Sequence, residues 1–238
     1  MPPRLVLVHG FTQTAESWRP VLARVSDRFE VLRPELPGHG TARDVRMGFD
    51  DAAAAIGEVG GPAAYVGYSM GGRLCLRLAV DRPDLVQRLV LEGASPGLAD
   101  PKERAARRAA DEALAGDIER RGTGPFLQRW LGQPLFADLR PAPDDVAARA
   151  LNPPAGLAAA LRSLGTGTQE PLWDRLGELA MPVLLVAGER DAKFAALAGR
   201  MASAIGPNAA VELVPEAGHA AHLERPDAFC ALLHPSTA

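Results

Sequence analysis

The stretch AAYVGYSMGGRLCLRLA, from Ala63 to Ala79, decides how the chain is read. Ala63 to Val66 is a short apolar run of strand type, and Leu74, Cys75 and Leu78 repeat at helical spacing. Between them the chain turns sharply through Gly67-Tyr68-Ser69-Met70-Gly71-Gly72. Gly67 and Gly71 carry no Cβ, so strand and helix backbones can close tightly around the serine. Strand, glycine-flanked serine and helix together are the sequence form of a nucleophile elbow. The helix starts just after Ser69, so its unpaired N–H groups and positive dipole end face whatever reacts there.

Outward from the elbow, strands alternate with helices. Arg4 to Val8 and Phe29 to Arg33 read as strands before it, and Arg88 to Leu91 as one after it. Trp18, Val21, Leu22 and Val25 repeat as one helix face, and Phe49 to Val59 is an alanine-rich helix. The rhythm breaks near Ser95. From there to Leu176 only helices are predicted: Pro101 to Leu114, Gly124 to Leu131, Asp144 to Leu151 and Gly156 to Leu164. Strands return at Pro182 to Ala187 and Ala210 to Val214, with a helix from Phe194 to Ile205 between them and another from Arg225 to Leu233. The pattern predicts an α/β fold: a mostly parallel sheet, helices on both faces, and an inserted helical lid. The core is expected over residues 1–94 and 177–238, and the lid over 95–176. In such a sheet ligands bind beyond the carboxyl ends of the strands, and the insert leaves from one of those ends.

Composition narrows the classes. The 238 residues are 47% hydrophobic and 23% charged, enough for a sizeable core. A net charge of −3 argues for neither nucleic acid nor an anionic membrane as partner. No leader pattern and no long apolar run is visible, so no membrane span is expected and a cytoplasmic location is. Cys75 and Cys230 form neither a disulfide framework nor a metal spacing, and the five histidines are scattered. No metal and no cofactor is expected. The residues fix no oligomeric state.

A serine hydroxyl needs a base, and the base needs a carboxylate to fix its tautomer. Asp191, in Gly188-Glu189-Arg190-Asp191, and His219, in Glu216-Ala217-Gly218-His219, each follow a predicted strand. They are the candidates, with Glu189 and His222 as rivals. His9 is expected to shape the first loop, and His39, in a Pro-Gly-His-Gly turn, to lie on a surface loop. The N–H groups of Met70 and Phe11 are the candidate donors to an oxyanion.

With these motifs the chain resembles the α/β-hydrolase family over nearly its whole length. LVLVHGFTQTAESW, ELPGHG, GYSMGGRLCLRLA and GHAAHLERP suit many members. EGASPGL, ERAARRAAD, WLGQPLF, ARALNPPAGLAAAL and GERDAKF resemble a narrower family, the 2-succinyl-6-hydroxy-2,4-cyclohexadiene-1-carboxylate synthases of menaquinone biosynthesis. The chain departs in reading Glu35 where an aspartate is usual and Ala220-Ala221 where an asparagine commonly follows the histidine. The resemblance implies a lyase. Ser69 would act as base, His219 would take its proton and Asp191 would hold His219 while pyruvate is eliminated, with no cofactor.

The resemblance also implies a small polycarboxylate substrate bound by Arg73, Arg107 and Arg149, with Tyr68 and Trp130 as further contacts. Arginine suits this work because its planar fork pairs two carboxylate oxygens at once. Surface charge is the competing explanation, and position must decide: residues 95–175 hold ten Arg and one Lys against eleven acidic residues. Arg108 is assigned to the solvated face, and Phe126, Phe136 and Trp173 to the lid core. The alternative function is a carboxylesterase or C–C bond hydrolase using the same three residues. A non-catalytic binding protein of this fold need not keep them.

Overall fold

In the computed structural model, which describes residues 2–233, six strands form one sheet in the order β2-β1-β3-β4-β5-β6. They are β1 (Arg4–Val8), β2 (Glu30–Leu32), β3 (Ala63–Tyr68), β4 (Val86–Glu92), β5 (Val183–Gly188) and β6 (Ala209–Val214). Every neighbouring pair runs parallel. The chain steps from β1 outward to β2, then crosses back to place β3 on the other side of β1. That reversal opens a crevice at the carboxyl ends of β1 and β3, the usual ligand position in open parallel sheets.

The helices run in chain order from α1 (Arg19–Val25) through α2 (Phe49–Gly60) and α3 (Met70–Asp81) to α4 (Pro101–Arg121). Then come α5 (Thr123–Leu131), α6 (Pro143–Ala150), α7 (Pro154–Leu164), α8 (Ala192–Ile205), α9 (Ala221–Glu224) and α10 (Pro226–Ala231). Between β4 and β5 the chain forms α4 to α7 and no strand. Among the described residues, no helix is long and apolar enough to cross a membrane.

The alternation of β1 explains the layering. Val6 and Val8 pack with Ile56 and Leu74 on the face covered by α2 and α3. Leu5 and Leu7 point the other way, onto Trp18 of the turn before α1 and Phe229 of α10. Successive side chains of a strand face opposite sides, so a strand covered on both faces must be apolar throughout. Each such buried side chain contributes roughly 1.5–3 kcal/mol.

Most boundaries shift by a residue or two from the sequence reading, and three differences have a physical reason or a larger extent. Helix α4 continues past Leu114 to Arg121, because Ala115 and Ile118 are buried in the hydrophobic core, and it stops at Gly122 with φ 81°. Strand β2 keeps only three residues. The predicted helix from Arg225 to Leu233 is shortened to α10, which starts at Pro226, where a missing N–H costs nothing in a first turn, and the unpredicted α9 precedes it.

Candidate active site

The elbow forms where the glycines allow it. Ser69 lies between β3 and α3 at φ 50° and ψ −107°, a conformation that non-glycine residues rarely hold. Such strain, of order 1–3 kcal/mol, persists only where the surroundings impose it. Here Ser69 N–H donates to the Glu92 carbonyl at 2.8 Å, and Arg73 N–H donates to the Ser69 carbonyl at 3.0 Å. A Cβ at Gly71 would run into the carbonyl oxygens of Val8 and His9, so β1 and α3 approach at glycine distance. Met70 is the first residue of α3, and its N–H has no intrahelical partner.

His219, 3% exposed, lies beyond β6 in the loop before α9. Its Nδ1 is 2.6 Å from Asp191 Oδ2. Asp191 caps α8, with Oδ1 accepting from Phe194 N–H at 3.2 Å. The carboxylate therefore fixes the proton on Nδ1 and leaves Nε2 as an acceptor. The rings of Tyr68 and Phe194, with centroids 5.3 and 4.6 Å away, flank the imidazole. The rival carboxylate Glu189 instead accepts from Glu216 N–H at 3.1 Å on the exposed side. The rival imidazole His222 is fully buried, with Nδ1 2.8 Å from Glu92 Oε2.

A cavity of about 580 Å³ opens over the elbow, within the range of small-molecule sites. Phe11, Tyr68, Ser69, Met70, Arg73 and His219 line it from the sheet side, and Arg107, Trp130 and Arg149 from the helices between β4 and β5. Asp191 stands behind His219, outside the cavity wall. All ten residues singled out from the sequence thus gather at one place.

The three arginines differ in setting. Arg73 is buried, donating to Gln169 Oε1 at 3.1 Å and to the Leu164 carbonyl at 2.7 Å, and it lies over the Phe49 ring. Burial, with Arg107 nearby, lowers its pKa to about 9. Arg149 is buried too, with Nε on Asp145 Oδ2 at 2.7 Å and Nη1 on Thr12 Oγ1 at 3.0 Å. Its Nη2 is buried without a partner. Arg107 is half-exposed and donates from Nε to Asp111 Oδ1 at 2.8 Å. Arg108 is exposed, as assigned, donating to the Gly167 carbonyl at 2.9 Å.

Two other residues with polar groups line the cavity, Trp130 and Tyr68. The Trp130 indole packs edge-on to Phe11, with centroids 5.3 Å apart, and its Nε1 is buried without a partner. Burial pushes the Tyr68 hydroxyl well above its usual range, and Glu92 adds to the effect.

Two expectations are corrected. His39 is not on the surface: it is fully buried, with Nε2 accepting from Thr12 N–H at 3.2 Å and Nδ1 facing the Pro37 carbonyl at 3.0 Å. The turn that carries it folds inward and braces the loop of Phe11. Phe136 is not confined to the lid core; it lines the cavity and meets the edge of His219 at 6.0 Å. Phe126 is buried in the core, and Trp173 lies under Arg200 with its indole N–H on the Gly97 carbonyl. His9 pins the first loop as expected, through the Gly10 carbonyl and Leu36 N–H.

The sequence reading missed two charged groups on the cavity wall. Lys193 lies two residues after Asp191, within GERDAKF, and that spacing could have found it. Asp111 is a buried carboxylate whose Oδ2 has no partner, one helical turn after Arg107; the i,i+4 spacing was its signal. Among the described residues no three His, Cys, Asp or Glu side chains gather as a metal site.

Over nearly its whole length the chain is similar to known proteins. The model of the alpha/beta hydrolase family matches residues 5–232. The 2-succinyl-6-hydroxy-2,4-cyclohexadiene-1-carboxylate synthase of Serratia proteamaculans is 35% identical, over 97% of this chain and 91% of its own. That of Enterobacter sp. is 34% identical, over 97% and 90%. The structure of MenH from S. aureus superposes with a TM-score of 0.90 at 30% identity, covering 98% of this chain and 92% of its own. The chain belongs to the α/β-hydrolase family and, within it, to the family of the 2-succinyl-6-hydroxy-2,4-cyclohexadiene-1-carboxylate synthases.

Proposed function

We propose that the chain is a lyase that eliminates pyruvate from 2-succinyl-5-enolpyruvyl-6-hydroxy-3-cyclohexene-1-carboxylate, giving 2-succinyl-6-hydroxy-2,4-cyclohexadiene-1-carboxylate. One observation carries the reading: Ser69 and His219 share their cavity with Arg73, Arg107 and Arg149. The substrate has three carboxylates. A site for small neutral esters has no use for two buried guanidinium groups, which are expensive to desolvate without an anionic partner.

The chemistry follows from the positions. The ring C–H next to the succinyl ketone is the acidic one. Ser69 Oγ removes that proton and passes its own to His219 Nε2, while Asp191 holds Nδ1–H and stabilises the imidazolium. Charge grows on the ketone oxygen, where the Phe11 and Met70 N–H groups are the proposed donors. The electrons then close a new ring double bond, shift the existing one and expel the enolpyruvyl oxygen. The departing group takes up a proton and becomes pyruvate. No covalent enzyme intermediate is required. In this reading residues 95–176 are a lid over a core formed by 1–94 and 177–238. A cytoplasmic setting, consistent with the free thiols of Cys75 and Cys230, belongs to the same proposal.

The test follows pyruvate release from the intermediate made in situ, beside a panel of small esters. Pyruvate release that Ser69→Ala lowers by several orders of magnitude is the expected result. Fast turnover of neutral esters with no pyruvate would overturn the reading in favour of an esterase.

A further inference from the structure

We propose that Gln13, His222 and Glu92 are positioning residues that hold the loop of Phe11 in register with the Ser69 elbow. The proposal rests on the reading above of the Phe11 N–H as an oxyanion donor. The three are 1%, 0% and 0% exposed, and none lines the cavity, so they act through the backbone they hold.

The connections run unbroken from one donor loop to the other. Ser69 N–H donates to the Glu92 carbonyl at 2.8 Å. The side chain of the same glutamate takes His222 N–H on Oε1 at 3.0 Å, and its Oε2 lies 2.8 Å from His222 Nδ1 as a close ion-pair contact without hydrogen-bond geometry. His222 Nε2 lies 3.3 Å from Gln13 Nε2. Gln13 Oε1 accepts from Gly10 N–H at 2.9 Å, and Gln13 N–H donates back to the Gly10 carbonyl at 3.2 Å. Phe11 sits inside that doubly closed turn.

The polarity is consistent along the whole line. The amide oxygen must face Gly10 N–H, so the Gln13 amide N–H points at His222 Nε2, which then has to be the unprotonated nitrogen. The ring proton is thereby on Nδ1, beside the glutamate. Aromatic packing fixes the ring as well: Trp18 and Tyr68 lie 4.4 and 4.6 Å from the His222 centroid.

The loop needs such support. Thr12, next to Phe11, is held at φ 70°, a conformation foreign to a β-branched residue. On one side Thr12 is tied to His39, to Asn152 through its carbonyl at 2.9 Å, and to Arg149 through its hydroxyl. Gln13 is the tie on the other side. Were these three residues there for packing alone, an apolar set of the same volume would serve without burying a carboxylate.

The experiment uses Gln13→Met and Gln13→Glu with two readouts. One is kcat and KM for pyruvate release. The other is the rate at which diethyl p-nitrophenyl phosphate inactivates Ser69. In that step the Ser69 Oγ–P bond forms, p-nitrophenolate leaves, the serine proton passes to His219, and the phosphoryl oxygen occupies the oxyanion position. A misplaced donor is expected to lower kcat and the inactivation rate of Gln13→Met about 10- to 100-fold, with KM within about twofold. Gln13→Glu, which still accepts from Gly10 N–H but offers His222 Nε2 no N–H and buries a charge beside it, is expected to stay more than about threefold below the parent in both rates.

Retention of both rates by Gln13→Met, or a loss confined to KM, overturns the proposal. If circular dichroism shows Gln13→Met unfolded, Gln13→Asn, whose amide is one methylene too short, is read against the same thresholds. Normal inactivation of the parent without pyruvate release would sink the synthase reading and not this one. Unchanged inactivation in Gln13→Met would do the reverse.

Discussion

Arg149, which lines the cavity, commits its Nε to Asp145, one turn earlier on α6 at 2.7 Å, and its Nη2 stays buried and unbonded. An unpaired guanidinium nitrogen in such a place is a standing demand for an acceptor. Arg149→Met is expected to raise KM for the tricarboxylate by about 30-fold or more. It should also destabilise the fold by about 3–5 kcal/mol, because the buried Asp145 loses its cation and keeps only the Ser17 hydroxyl. Adding Asp145→Leu should restore the melting temperature without restoring KM. Recovery of both would make Arg149 a structural bolt and not a ligand.

Arg73 supplies a pH test. Burial lowers its pKa to about 9, so it is cationic at neutral pH and loses its charge well before an exposed arginine. Substrate affinity is therefore expected to be flat from about pH 7 to 8 and to fall about tenfold per unit above 9. The sign for stability is opposite. Between about 9 and its ordinary range the unfolded chain holds a proton that the folded one has released, so this residue's contribution to stability rises with pH there. Arg73→Gln should abolish the alkaline loss of affinity. Persistence of that loss in the variant would assign it to another group.

His39 makes the acid limb specific. Burial, with His9 nearby, pushes its pKa down to about 3, and both ring nitrogens are occupied in the neutral form. The unfolded chain binds a proton near pH 6.5 that the folded chain refuses, so stability falls as pH drops through that window. The slope from this residue approaches about 1.4 kcal/mol per pH unit. Urea unfolding of His39→Gln between about pH 6 and 4 should be shallower in pH by one proton. An unchanged slope would locate the proton elsewhere.

Gly71→Ala tests the closeness of β1 to the elbow helix. Its Cβ would meet two backbone carbonyls, which cannot step aside as a side-chain tip can. A loss of about 1–3 kcal/mol is expected from such overpacking, read as a lower denaturant midpoint. An unaffected midpoint would mean that the strand and helix have room to part.

Much of this was written in local pattern. The elbow, the apolar strands and the proline-separated helices each announce themselves within a dozen residues, and their order is enough to line up the carboxyl ends that carry Ser69, Asp191 and His219. His39 was misjudged because Pro-Gly-His-Gly has the chemistry of an exposed turn; its burial depends on Thr12, far away in sequence. Arg107 and Arg149 look alike as letters. One is half-exposed and the other sealed, because the partner that decides, Thr12 for Arg149, comes from another part of the chain. Gln13 is invisible for the same reason: its meaning is a contact 209 positions downstream.

Strands β4 and β5 lie side by side although about 90 residues intervene. Loop-closure entropy grows only logarithmically, so doubling that excursion would weaken the sheet by about 0.6 kcal/mol. Evolution can therefore lengthen, trim or exchange the covering helices almost without thermodynamic penalty, and choice of substrate can drift while the scaffold stands still. The toll falls on speed instead: the central pairing must wait for a distant partner during folding.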